Sequence, residues 1–158
     1  MSIDAQVSHI LGLSEVNQIG IVVRDIDKAR RNFSEFFKID FAEVVILKYF
    51  NKIYRGNPSD FRMKMAFAMM GNLQIELIQD LEGGTIYQEF LEKRGEGLHH
   101  LGFVVTNLDE RVAALDKCGI GVLMSGERIG VRFAYMDTEN IVGLIVEFIE
   151  RNEDALKK

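Results

Sequence analysis

The sequence predicts an α+β fold made of two βαβββ modules, and three observations in its 158 residues carry that prediction. The chain repeats itself, each copy sets short β-branched runs around one helical stretch, and the length suits one compact unit of two halves. "NQIGIVVRDIDKA" (17–29) lies on "HHLGFVVTNLDER" (99–111) without a gap, so Gln18 matches His100, Gly20 matches Gly102 and Asp27 matches Asp109. Later, "LQIELI" (73–78) lies on "LIVEFI" (144–149) and matches Glu76 to Glu147. The two offsets are 82 and 71 residues, so the first copy holds about eleven extra residues, which we place in "LKYFNKIYRGNPSD".

Residues 1–15 read as a peripheral tail that could form a short amphipathic segment through Ile10, Leu11 and Leu13. The first module, 16–80, opens with the strand "IGIVV" and the turn "RDID", whose Asp can cap a helix. The helix "IDKARRNFSEFFKI" follows, with Ala29, Phe33, Phe36 and Phe37 near helical spacing, and then the strands "AEVVIL", "RMKMAFAMM" and "NLQIELIQ". Residues 81–97 connect the modules through a helix in "EGGTIYQEFLEKRGEG", ended by Gly95 and Gly97. The second module, 98–150, repeats the order: "LGFVV", the turn "TNLD", the helix "DERVAALDKCGI" closed by Gly119, and the strands "IGVLM", "VRFAYMD" and "GLIVEFIE". The tail 151–158, "RNEDALKK", reads as solvated.

Composition excludes several classes. The net charge of −5 is spread along the chain, without the clustered Lys and Arg that phosphate backbones require, so no nucleic-acid partner is expected. One cysteine, Cys118, permits neither an internal disulfide nor a Cys-rich zinc site. No stretch reaches the ~18 apolar residues of a membrane span, and the start lacks a basic segment followed by a long apolar run. These features lead us to expect a cytoplasmic protein.

Strand alternation places Gln18, Gly20 and Val22 on one face, Gln74, Glu76 and Ile78 on another, and likewise His100 with Gly102 and Ile145 with Glu147. Gln18, Glu76, His100 and Glu147 thus hold equivalent places in the repeat. A carboxylate inside "LQIELI" or "LIVEFI" is costly to bury unless it is paired, hydrogen-bonded or metal-bound. Either Glu alone would read as a solvent-facing strand residue; four polar residues in register point instead to a shared partner. Their amide, carboxylate and imidazole donors suit one divalent ion such as Co, Ni, Zn or Mn, with places left for substrate or water. Alternation sends His99 to the opposite face, in a capping or surface role. His9 has no visible partner, and Met63, Met65, Phe67 and Met69 read as a core face.

Paired βαβββ units with polar positions on their first and fourth strands resemble the vicinal oxygen chelate superfamily, which includes glyoxalase I, methylmalonyl-CoA epimerases, extradiol dioxygenases and bleomycin-resistance proteins. The resemblance covers residues 16–150. "FLEKRGEGLHHLGFVVTNLD" is similar to the epimerase signature, as is "GLIVEFIE" preceded by "VRFAYMDTEN". It implies eight strands in a cup-shaped, incompletely closed sheet around one metal site, with Gln18, Glu76, His100 and Glu147 as ligands. Epimerases usually carry His at the first position, whereas a Gln, Glu, His, Glu set matches human-type glyoxalase I.

Both activities remove a proton beside a carbonyl, and the resemblance implies Glu147 as the base with Glu76 as its counterpart. The implied substrate is a CoA or glutathione thioester, and the implied assembly a homodimer. Arg132, Arg62 and Lys64 are candidates to face the substrate's negative charge, with ordinary surface positions as the alternative. Epimerisation of methylmalonyl-CoA or a similar acyl-CoA is the leading expectation, a lactoylglutathione lyase the second, and a metal-free binding or resistance protein the third. An extradiol dioxygenase is disfavoured because one suitable His is present where its iron needs two.

Overall fold

The computed structural model describes residue 9 and residues 11–156. Ile10 of the expected amphipathic tail, and Lys157 and Lys158 of the closing tail, lie outside the described residues; Leu11 packs on the second module and Leu13 is exposed. The elements are β1 (Gln18–Val22), α1 (Ile26–Phe37), β2 (Phe50–Tyr54), β3 (Asn57–Pro58), β4 (Arg62–Met70), β5 (Leu73–Glu82) and α2 (Ile86–Arg94). After them come β6 (Gly97–Val105), α3 (Leu108–Asp116), β7 (Val122–Arg128), β8 (Val131–Met136), α4 (Glu139–Val142), β9 (Ile145–Arg151) and α5 (Glu153–Leu156).

Local chemistry sets the helix ends. Asp25 accepts from the Lys28 backbone N–H at 2.9 Å to cap α1, and Thr85 Oγ1 accepts from Gln88 N at 3.0 Å to cap α2. In the second copy the cap is Asn107 without a side-chain hydrogen bond, and Asp109 sits in the first turn, where it pairs with Arg132. Ile26 under α1 and Leu108, Ala114 and Leu115 under α3 bury against the outer face of the sheet, while a third core fills its concave side.

All nine strands join one sheet in the order β3-β2-β7-β8-β9-β6-β1-β5-β4. Each module pairs its first and last strands in parallel, β1 with β5 and β6 with β9, and the modules meet through antiparallel β1 and β6. The expected count of eight strands differs here for a specific reason. "AEVVIL" makes no full strand; it holds β4 only through Ala42 N to Phe67 O and the Val45–Met65 bridge. The extra residues of the first copy instead form the β2–β3 hairpin, which extends the far edge of the sheet by pairing with β7.

That path requires curvature. Val45 lies outside β4 and Phe50 beside β7, eight strand spacings apart in sheet order. A flat sheet would separate them by roughly 38 Å, yet five residues span at most about 17 Å. The sheet therefore curls into a cup, and residues 46–49 form a strap across its open side.

Candidate metal centre

Cross-strand register builds the floor of the cup in two rows. Glu76 on β5 is level with Gly20 on β1, which is level with His100 on β6. Gln18 on β1 is level with Gly102 on β6, which is level with Glu147 on β9. Each row has a glycine between two polar residues, and the reason is space. A Cβ on Gly20 would fall 1.8 Å from His100 Cε1, and one on Gly102 would fall 2.9 Å from Gln18 Cβ. Each repeat's glycine is the room needed by the other repeat's large polar side chain.

All four side chains are buried. Glu76, His100 and Glu147 bring one ligand atom each within 4.8 Å of one another. His100 Nε2 stands 3.2 Å from Glu147 Oε2 and 3.4 Å from Glu76 Oε2, close enough for ion pairing but without hydrogen-bond alignment. Gln18 donates through Nε2 to Gln74 Oε1 at 2.8 Å, which leaves its Oε1 unbonded. Gln18 Oε1, Glu76 Oε2, His100 Nε2 and Glu147 Oε2 are thus four buried polar atoms without a hydrogen-bond partner in the structure. Burial of that kind is unfavourable unless another species satisfies the atoms. Two carboxylate oxygens, an imidazole nitrogen and an amide oxygen fit a borderline-hard divalent cation, so the Glu76–His100–Glu147 triad is positioned to hold a metal ion.

Charge agrees with this reading. Burial alone would depress the His100 imidazolium, but Glu147 and Glu76 outweigh it and hold its pKa up at about 9. Burial pushes the Glu76 carboxyl above its ordinary range, against the pull of His100. A positive charge is therefore stabilised at the point where these groups converge, and a cation would take the place of the proton.

His99 departs from the expected surface role. The pairing steps from Gly20–His100 to Ile21–Leu98, so His99 is the extra residue of a β-bulge and alternation fails there. Its ring is buried among Tyr87, Phe90 and Tyr135, with Nδ1 3.0 Å from His100 Nδ1. Burial, reinforced by the neighbouring His100 charge, holds His99 neutral well below the ordinary histidine value. Where a cation replaces the Nε2 proton, His100 keeps its other proton on Nδ1 with neutral His99 as the acceptor, and the Nε2 lone pair is left for the ligand bond. Tyr135 packs edge-on against His100, ring centroids 4.9 Å apart, and accepts a 2.7 Å hydrogen bond from the Tyr87 hydroxyl.

Above the floor lies a cavity of about 300 Å³, walled by Met63, Met65 and Phe67 on the first module and Phe133, Tyr135 and Ile149 on the second. The candidate cations are not in it. Arg132 faces outward to Asp109 and Glu150, Arg62 pairs with Glu82, and Lys64 lies between the inward Met63 and Met65. Arg128 and Arg151 line the cavity instead. The β7–β8 and β8–β9 registers that select them have no signal in a single strand's sequence.

The family model for the glyoxalase/bleomycin resistance protein/dioxygenase superfamily matches residues 17–135. The uncharacterized protein YqjC of Bacillus subtilis is 26% identical over 90% of this chain and 96% of its own. Human mitochondrial methylmalonyl-CoA epimerase is 24% identical over 92% of this chain and 78% of its own. Among solved structures, a hypothetical protein from Bacillus halodurans superposes with a TM-score of 0.67 at 25% identity, covering 88% of this chain and 95% of its own. Methylmalonyl-CoA epimerase from Mycobacterium tuberculosis reaches the same 0.67 at 19% identity, covering 92% and 93%, which establishes likeness of fold. Curled sheet, paired modules and family match agree, and the chain belongs to the glyoxalase/bleomycin resistance protein/dioxygenase superfamily.

Proposed function

We propose that the protein is a metal-dependent enzyme that removes a proton from the carbon beside a thioester carbonyl and returns it, epimerising methylmalonyl-CoA or a similar 2-branched acyl-CoA. The observation that carries this reading is the set of four buried, unbonded ligand atoms on the floor of a cavity. The epimerase relatives support the choice of substrate.

A divalent ion held by Gln18, Glu76, His100 and Glu147 would supply Lewis-acid stabilisation of charge developing on the carbonyl oxygen. Glu147, on β9, takes the proton from the substrate carbon, and Glu76, on β5 across the pseudo-twofold axis, faces the carbon from the other side and returns one. General-base work of this kind contributes ~10²–10⁴-fold. Met63, Met65 and Phe133 keep the surrounding volume apolar, which strengthens the electrostatics of the floor. Tyr135, by ring contact, and His99, by its Nδ1, hold the His100 ring in place.

Incubation of metal-loaded protein in D₂O tests the reading: deuterium should enter C2 of methylmalonyl-CoA, and its absence would sink it. The Gln, Glu, His, Glu donor set favours one second reading, a glyoxalase I-like lyase. Failure to form thioester from methylglyoxal and glutathione would remove that one. Metal content bears on both. Protein purified without chelator should carry close to one equivalent of Co, Ni, Zn or Mn, whereas less than about 0.2 equivalents, not restored by addition, points to a metal-free binder. A cytoplasmic homodimer belongs to the same proposal, and light scattering after gel filtration tests the dimer.

A further inference from the structure

The two walls of the cup differ at its mouth. In register, Arg128 on β7 is level with Val131 on β8, which is level with Arg151 on β9. Residues paired this way share a face, and all three line the cavity. Along β9 the inward positions are Glu147, Ile149 and Arg151, so the arginine row stands roughly 13 Å from the row of Glu147, measured between Cα atoms. Apolar Phe133 and Ile149 lie between. The repeat offers no match on the other wall, where the counterpart of Arg151 is Asp80, engaged by the Thr85 hydroxyl at 2.6 Å.

Neither Arg128 nor Arg151 forms an ion pair among the described residues, whereas Arg55, Arg62, Arg94 and Arg132 all do. The nearby Glu150 is held by Arg132. Tyr49 of the strap also lines the cavity, and its hydroxyl donates to Met65 Sδ at 3.5 Å, a weak acceptor that a better one would displace. Two guanidinium groups without an ion pair among the described residues, and a phenol that Arg128 itself hydrogen-bonds, therefore line the opening of a cavity whose floor is acidic.

We propose that Arg128 and Arg151, with the Tyr49 hydroxyl, bind an anionic oxygen group of the substrate at the mouth of the cup while its carbonyl end occupies the Glu76–His100–Glu147 floor. This deepens, and rests on, the carbonyl-substrate reading above. The group is a carboxylate of the acyl chain or a phosphate of the carrier, and guanidinium forks suit either. Arg128 and Arg151 are then specificity-determining residues, and Tyr49 ties the strap to an occupied cavity.

The test compares wild type, the Arg128→Met/Arg151→Met double variant and an Arg31→Met control on exposed α1. Deuterium exchange is followed with methylmalonyl-CoA and with the methylmalonyl thioester of N-acetylcysteamine, which lacks phosphates. A KM raised at least tenfold in the double variant, by more than any change in kcat, is the expected result. Confined to the CoA thioester it assigns a phosphate, and seen with both thioesters it assigns the carboxylate. An unchanged KM for both overturns the proposal.

If wild type exchanges neither thioester, the proposed reaction fails and the rim is judged by binding alone. Chelator-treated protein is then titrated with pyrophosphate and with glutarate, using the fluorescence of its 4 tyrosines, since the chain has no tryptophan. Saturable binding of either anion, weakened at least tenfold in the double variant, supports the rim. No binding, or equal binding by both proteins, overturns it.

Discussion

At the scale of single residues, the site depends as much on what is missing from Gly20 and Gly102 as on the ligands themselves. A methyl group at Gly20 would lie 1.8 Å from His100 Cε1, so Gly20→Ala must drive the imidazole off the floor. We expect a loss of ~1–3 kcal/mol in stability from overpacking and at least tenfold weaker metal binding. Gly121→Ala, whose added methyl would meet nothing within 4 Å, should change neither. Urea titrations and competition against a chelating dye measure both effects. His99→Phe is the complementary change, since it keeps a buried ring but removes the acceptor of His100 Nδ1–H. Loss of such a supporting group lowers metal affinity roughly 10–100-fold, and wild-type affinity in this variant would refute the tautomer argument. The four candidate ligand positions are readable in the sequence because a repeat compares them with each other. The burial of His99 is not, because it is itself the bulged residue, and the alternation that would turn it outward is broken there.

Among the elements, the strap and the β2–β3 hairpin are where expectation and structure part. "AEVVIL" has the β-branched content of a strand but closes only one bridge with β4, after which the chain leaves to cross the cup. Its departure is decided by the partner edge at β7 and by α2, both distant in sequence. The hairpin is fastened to α2 by Glu89, which accepts from Arg55 Nε at 2.6 Å and Nη2 at 2.7 Å and from the Tyr54 hydroxyl. Arg55 outweighs burial and holds the Glu89 carboxyl at a pKa of about 2, against an ordinary 4.5. A depressed carboxylate stabilises the fold above its unfolded pKa, and that contribution disappears as pH falls from about 4.5 through about 2. For a half-exposed pair we expect about 1 kcal/mol. Glu89→Gln should therefore lower the urea midpoint at pH 6 and converge with wild type near pH 2; an equal deficit at both pH values would show that packing, not charge, is responsible. α1, α2, α3 and the other strands lie close to their sequence expectation because each follows its own periodicity, whereas the one-turn helices α4 and α5 fall where the sequence reading expected none.

For the whole molecule, the consequence of the fold is that each module contributes half of one site. Gln18 and Glu76 come from the first and His100 and Glu147 from the second, on four strands that are neighbours only because β1 pairs with β6. An ion bound there is a link between modules, and it binds the folded state alone, since the unfolded chain separates Gln18 from Glu147 by more than a hundred residues. Binding of that kind stabilises by about 2.7 kcal/mol at a free concentration 100 times the Kd. For a chain of this length that corresponds to a rise in Tm of roughly 5–11 °C. We expect calorimetry to show such a rise on addition of at least one of Co, Ni, Zn and Mn, reversed by chelator. Glu147→Gln should lose most of the increment, because an amide supplies a weaker ligand at the shared point. Glu43→Gln, an exposed substitution outside the site, should keep it. The four unbonded atoms could instead be satisfied by water, and that alternative makes the opposite prediction: no ion would move the midpoint of any of the three proteins by more than about a degree.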